Sequence, residues 1–303
     1  MNRSDVEFQS NGTLCRAWHY HPASDDFTGP NGAPCVVMAH GFGGTRNAGL
    51  EPYAEAFSNA GLNVLLFDYR YFGDSDGEPR QLLSVSRQLE DWAAAIGCAR
   101  ALDGVDAQRV ALWGSSFSGG HVIVAAARDG NIDAVTSQGP MMDGLAALTN
   151  IIGYAGIGQA LKMTWAGLRD LGRSLSGRDP YRIPIIAEPG GFAAMTSHDA
   201  LSGFGAILPE GWRNEFCARA GLTLGLYRPI RQVPKLNCPT LVQVCDRDSV
   251  APADAAAKAG DLNELVEVVH YDIGHFDIYI GEGFKRSSQD QLKFYREHLM
   301  GSK

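Results

Sequence analysis

The chain has 303 residues, 45% hydrophobic and 20% charged, the balance of a folded globular protein rather than a disordered or fibrous one. Its net charge of −8 argues against nucleic acid or an anionic membrane as the main partner, because both select basic surfaces. No basic stretch followed by an apolar one opens the chain, and no apolar run approaches ~18 residues, so neither a signal peptide nor a membrane-spanning helix is expected.

In chain order, residues 6–10 and 13–20 alternate around Asn11-Gly12, the strongest short hairpin signal. Residues 25–34 form a polar connector. Residues 35–39 are a continuous apolar run, as in a strand buried on both faces, and they empty into His40-Gly41-Phe42-Gly43-Gly44. A helix carrying Tyr53 and Phe57 leads to a second buried strand, 63–67, ending at Asp68. Residues 84–102 place Leu89, Trp92, Ala93 and Ile96 on one helical face. The next strand runs through Val110, Leu112 and Trp113 into Gly114, meets two serines, and continues as a helix to about Arg128. A short strand follows at 132–137. Strands alternating with helices imply an α/β fold with a mostly parallel sheet and helices on both faces. Such sheets bind ligands beyond the carboxyl ends of their strands.

From about residue 140 to 234 this rhythm breaks. Helices are predicted at 141–154, 157–174 and 210–220, with an extended, Pro/Gly-punctuated stretch at 182–192. We read 140–234 as a mainly helical cap inserted into a core made of 1–139 plus 235–303. Its surplus apolar residues, among them Ile151, Leu161 and Trp165, either wall a pocket for an acyl or alkyl group or pack the cap onto the core. Arg169, Arg173, Arg178 and Arg182 either bind a substrate carboxylate or form a solvated face. The rhythm then resumes with strands at 240–245 and 266–271 and a helix at 282–299. Six cysteines lie scattered without a C-x-x-C pair, which suits buried thiols in a reducing, cytoplasmic compartment. No histidine or cysteine pair has ligand spacing, so no metal and no cofactor are expected.

The chemistry centres on residues 109–120. A sharp strand-to-helix turn lifts a serine above the sheet edge, and the following helix N-terminus offers free N–H groups. Two serines compete. Gly114 two residues before Ser116 fits the turn, whereas Ser118 lies one turn deeper and replaces the usual second glycine, so Ser116 is favoured. A serine nucleophile needs a base, and the base needs an orienting carboxylate. Asp248 follows strand 240–245 and His275 follows strand 266–271, giving the order Ser, Asp, His. Asp246 is the rival acid, nearer the strand end. Two N–H donors are needed for the oxyanion. They are assigned to Phe117, after the serine, and Phe42, after strand 35–39. His40 is read as pinning that loop rather than acting as a base, His121 as packed or partly exposed on the elbow helix, and Asp143 as capping a helix rather than approaching the mouth of the site.

Together, His40–Gly44, Gly114–Gly120, Asp246–Pro252 and Gly274-His275-Phe276-Asp277 resemble the α/β-hydrolase fold serine hydrolases. The resemblance is nearest to the esterase branch related to dienelactone hydrolases and to a peptidase catalytic domain of the same fold. It spans nearly the whole chain and departs at Ser118. It implies a triad of Ser116, Asp248 and His275, with an oxyanion hole at Phe42 and Phe117. The expected activity is hydrolysis of a small-molecule carboxylic ester. A thioesterase or acyltransferase using the same acyl-enzyme is the alternative, and a ligand-binding receptor with an idle triad is a third. A homo-oligomer is compatible with all three.

Overall fold

The computed structural model describes residues 2–300. The first two strands, β1 (Arg3–Ser10) and β2 (Thr13–Tyr20), form the expected hairpin. Asn11 and Gly12 both take positive φ (46° and 79°), the conformation that a tight two-residue turn demands. Then come β3 (Ala33–Ala39), α1 (Glu51–Asn59), β4 (Asn63–Phe67), α2 (Val85–Arg100), β5 (Val105–Ser115), α3 (Phe117–Asp129) and β6 (Ala134–Gln138).

Between β6 and the next strand of the main sheet lie α4 (Gly144–Ala155), α5 (Ile157–Leu175), a two-residue ribbon of β7 (Arg182–Ile183) with β8 (Phe216–Cys217), and the short α6 (Gly221–Leu224). The helix expected at 210–220 does not form. Residues there turn at Pro209–Trp212 and then become β8 and a 3-10 turn. The cause is tertiary: the Asn214 side chain accepts from the Ile185 and Ile186 N–H groups, and Cys217 N–H donates to the Gln81 carbonyl. Gly211, with φ +77°, also resists a helix.

The α/β rhythm resumes with β9 (Thr240–Cys245), α7 (Ala253–Ala257), β10 (Val266–Tyr271) and α8 (Gly281–Leu299). The eight-stranded sheet has the order β1-β2-β4-β3-β5-β6-β9-β10 and is parallel from β4 to β10. Successive residues of β3 alternate between two apolar layers. Cys35 and Val37 join Trp92, Val122 and Ile123, while Val36 and Met38 join Tyr53, Phe57 and Tyr295. That alternation is why these strands read as unbroken apolar runs. All six cysteines are free and five are buried. Burial, then the nearby Asp91 charge, pushes the Cys15 thiol up to about 12. Among the described residues, no helix is long and apolar enough to cross a membrane.

Candidate active site

β5 delivers the chain to Ser116, whose φ of +57° and ψ of −119° are strained for any residue with a side chain. Two hydrogen bonds hold the strain in place. The Ser116 N–H donates to the Gln138 carbonyl (2.8 Å), and the Ser116 carbonyl accepts from the Met141 N–H (2.9 Å). The turn closes only because Gly114 lacks a side chain: a Cβ there would stand 2.2 Å from the Ser118 carbonyl oxygen. A buried polar cluster braces the turn from below. Ser115 Oγ meets Tyr279 OH at 2.6 Å, and Gln291 Nε2 donates to the side-chain oxygens of both Gln138 and Gln243 beneath it.

The loop after β10 carries His275, whose side chain is only 3% exposed. His275 Nδ1–H donates to Asp248 Oδ2 at 2.5 Å, which leaves Nε2 to accept from the Ser116 hydroxyl at 3.1 Å. The other Asp248 oxygen accepts from the N–H groups of Val250 (2.8 Å) and Ala251 (2.6 Å), which locks the carboxylate. Asp246 instead pairs with His270 on the surface at 2.6 Å. Ser118 is buried beneath the elbow, with its Oγ 2.8 Å from Tyr69 OH, which in turn accepts from Trp92 Nε1–H.

Charge follows from this burial. Burial works against the His275 imidazolium, but the charge and hydrogen bond of Asp248, then the charge of Asp199, outweigh it and lift the pKa above the ordinary 6.5. Burial drives His40 down to about 4, so it is neutral near pH 7, and its Nδ1–H donates to the Gly41 carbonyl (3.0 Å). Burial likewise lowers His121 to about 3; it packs between Tyr227 and Gln88. Asp143 caps α4 through the N–H groups of Leu145 and Ala146.

Gly41 presses against the serine: a Cβ there would lie 2.9 Å from Ser116 Cβ. This brings Phe42 beside Phe117, their rings edge to face at 5.7 Å. Among the described residues, neither N–H is engaged by another group. Sequence reasoning missed one set of residues here. Asp199 Oδ1 accepts from the hydroxyls of Ser197 (2.8 Å) and Ser249, and Asn150 Nδ2 donates to the Ser249 carbonyl (2.9 Å). Residues from the segment between β6 and β9 thus grip the residue next to Asp248. The only available sequence signal was a Ser-x-Asp triplet, 197–199, with nothing to say where it docks.

The cavity beside Ser116 is small, about 20 Å³, between Phe42, Leu50, Met195, Phe204, Ile207 and Phe276. The apolar surplus of α5 does not wall it: Leu161 and Trp165 are 64% and 66% exposed on the outer surface. Nor do the arginines of the segment line it. Arg169 lies over the Tyr181 ring, Arg173 binds the Asp179 carbonyl, and Arg182 binds the Arg80 carbonyl. A larger polar cleft of about 210 Å³, between Arg46, Arg80 and Trp212, lies on the far side of Gly43 and includes neither Ser116 nor His275.

Residues 34–155 match the family described as alpha/beta hydrolase fold. The quorum-quenching protein AidA of Acinetobacter baumannii is 42% identical over 96% of this chain and 94% of its own. The polyketide transferase af380 of Aspergillus fumigatus is 28% identical over 99% of both chains. Among solved structures, the alpha/beta hydrolase GrgF from Penicillium superposes with a TM-score of 0.82 at 23% identity, covering 99% of each chain.

Proposed function

The chain belongs to the alpha/beta hydrolase fold family, and we propose that it is a serine hydrolase cleaving carboxylic esters of small molecules. The observation that carries this reading is the buried line from Ser116 Oγ through His275 to Asp248, with contacts of 3.1 and 2.5 Å. His275 takes the hydroxyl proton as Ser116 attacks the ester carbonyl, and Asp248 holds the ring in the required tautomer. The N–H groups of Phe42 and Phe117 receive the oxyanion. His275 returns the proton to the leaving alcohol, and water then releases the acid by the same steps in reverse. The apolar cavity lining suits an acyl or alkyl group. Residues 140–234 act as the cap over this site.

A second reading, acyl transfer or thioester cleavage, shares the acyl-enzyme and is favoured by the likeness to a polyketide transferase over the whole chain. The two are separated by assaying p-nitrophenyl esters against thioesters of the same acyl chains, with fluorophosphonate labelling of Ser116 as the common control. Ester turnover with a higher kcat/KM than the matched thioester supports the hydrolase. Labelling with hydrolysis of neither, but release of thiol when an acyl acceptor is added, supports the transferase. An unlabelled, inactive protein overturns both.

Asp199 offers a pH test. The base works as neutral imidazole, so the rate rises with pH through the pKa of His275. Asp199→Asn removes one of the two charges that raise that pKa while keeping an oxygen for Ser249. The acid limb of the kcat/KM profile is expected to move to lower pH, with the high-pH plateau nearly kept. An unmoved limb would remove Asp199 from the electrostatics of the site.

A further inference from the structure

The cleft on the far side of Gly43 holds about 210 Å³, against about 20 Å³ beside Ser116. The loops after β3 and β4 form one wall, and residues 209–213 form the other. Gln81 joins the two walls. Its φ is +65°, and its Nε2 donates to the carbonyls of Arg213 (3.4 Å) and Glu215 (2.7 Å). Trp212 ties them a second time, with its Nε1–H on the Gly43 carbonyl (2.9 Å). Some of the charge on the lining is already matched. Asp68 accepts from the Arg46 N–H (2.7 Å) and guanidinium (2.8 Å), and Asp74 accepts from the same guanidinium (2.5 Å). Arg80 and Arg213 are not matched in this way. The Arg80 guanidinium donates only to the Gly73 and Ser75 carbonyls, and among the described residues neither arginine pairs with a carboxylate. Burial, then the charge of Arg213, holds the Arg80 guanidinium below its ordinary pKa. Thr45 Oγ1 donates to Asn47 Oδ1 (2.7 Å), which leaves the Asn47 NH2 group as a further donor on the cleft.

We infer that this cleft binds a small organic acid, with its carboxylate or phosphate oxygens seated between Arg80 and Arg213 and its body against Trp212. An anion between two like charges relieves their repulsion, and a guanidinium presents paired N–H donors that match the oxygens of a carboxylate or a phosphate. The carboxylates of the lining do not select a cation instead. Asp68 and Asp74 are committed to Arg46, and Glu210, the third, is an exposed side chain on the 209–212 turn. The volume lies below the ~300–1,000 Å³ of pockets for drug-sized ligands, which limits the occupant to a small molecule. Among the described residues, no serine, cysteine or histidine lines the cleft, so the site binds its ligand without a serine–histidine pair to attack it.

The test is calorimetric titration of the full chain, which does not depend on any reading of the reaction. Phenyl phosphate and benzoate are the two acid probes, and benzylamine is the cationic one. At least one acid is expected to bind one to one with a Kd of about 1 mM or tighter and to weaken as salt is added, while benzylamine gives no heat. Arg213→Gln changes an exposed side chain and is expected to weaken the acid at least about tenfold with an unchanged circular dichroism spectrum. Arg80→Gln weakens it to the same extent. Arg178→Gln, at an exposed arginine beyond α5, leaves it unchanged. Binding of neither acid overturns the inference, and so does binding that survives both Arg80→Gln and Arg213→Gln. Acid binding that is lost once Ser116 carries a fluorophosphonate places the acid in the catalytic cavity, and tighter binding of benzylamine assigns the cleft to cations. Either result also overturns it.

Discussion

Ser116→Ala is expected to lower ester turnover by about five to six orders of magnitude while the protein stays folded. Ser116 carries the strained φ of the elbow, its hydroxyl is the group that reaches His275 Nε2, and among the described residues no second hydroxyl bonds to that nitrogen. Its neighbour in the motif is the control. Ser118→Ala removes a buried hydroxyl bonded to Tyr69 OH, which costs about 1 kcal/mol of stability and leaves most of the activity. Turnover and melting temperature of the two variants, measured side by side, separate the roles. If Ser118→Ala were the inactive one, the nucleophile would be misplaced by one helical step.

Asp248→Asn should cost about 10⁴ in kcat, the size expected when the imidazole is held in the wrong tautomer. The amide keeps an oxygen for the Val250 and Ala251 N–H groups, so the loop survives and the loss reports on His275 alone. Asp246→Asn provides the contrast. It breaks an exposed pair with His270, so both stability and rate should stay close to wild type. Steady-state kinetics of the two amides decides between the acids. Equal losses would mean that the whole loop after β9, rather than one carboxylate, sustains the rate.

Much of the architecture was legible from local pattern. β3, β4, β9 and the 110–115 half of β5 are buried on both faces, and such strands announce themselves as mostly apolar runs. Ser116 and Asp248 could be picked out because they follow closely on β5 and β9, and His275 because it follows on the neighbouring parallel strand β10, so the sheet itself sets their convergence. The segment between β6 and β9 resisted for the opposite reason. Its conformation depends on distant partners: Asn214 on the backbone of β7's neighbours, Cys217 on Gln81, and Asp199 on Ser249. Helical periodicity at 210–220 lost to those contacts. Periodicity did find α5, but a hydrophobic stripe does not say which way it faces. Only the buried Asp170 and Gly167 fix the apolar side outward.

The narrow cavity at Ser116 bears on a question of timing. With about 20 Å³ beside the serine between apolar side chains, entry of a bulky acyl group would require Met195, Phe204 or Ile207 to give way. In the proposed reaction the acyl group would wait on the serine after the first product leaves. The nucleophile that then arrives would determine the product: water yields an acid, an alcohol or amine yields a new ester or amide. On the proposed acyl-enzyme, hydrolysis and transfer share the same three residues and differ only in which nucleophile reaches the serine ester.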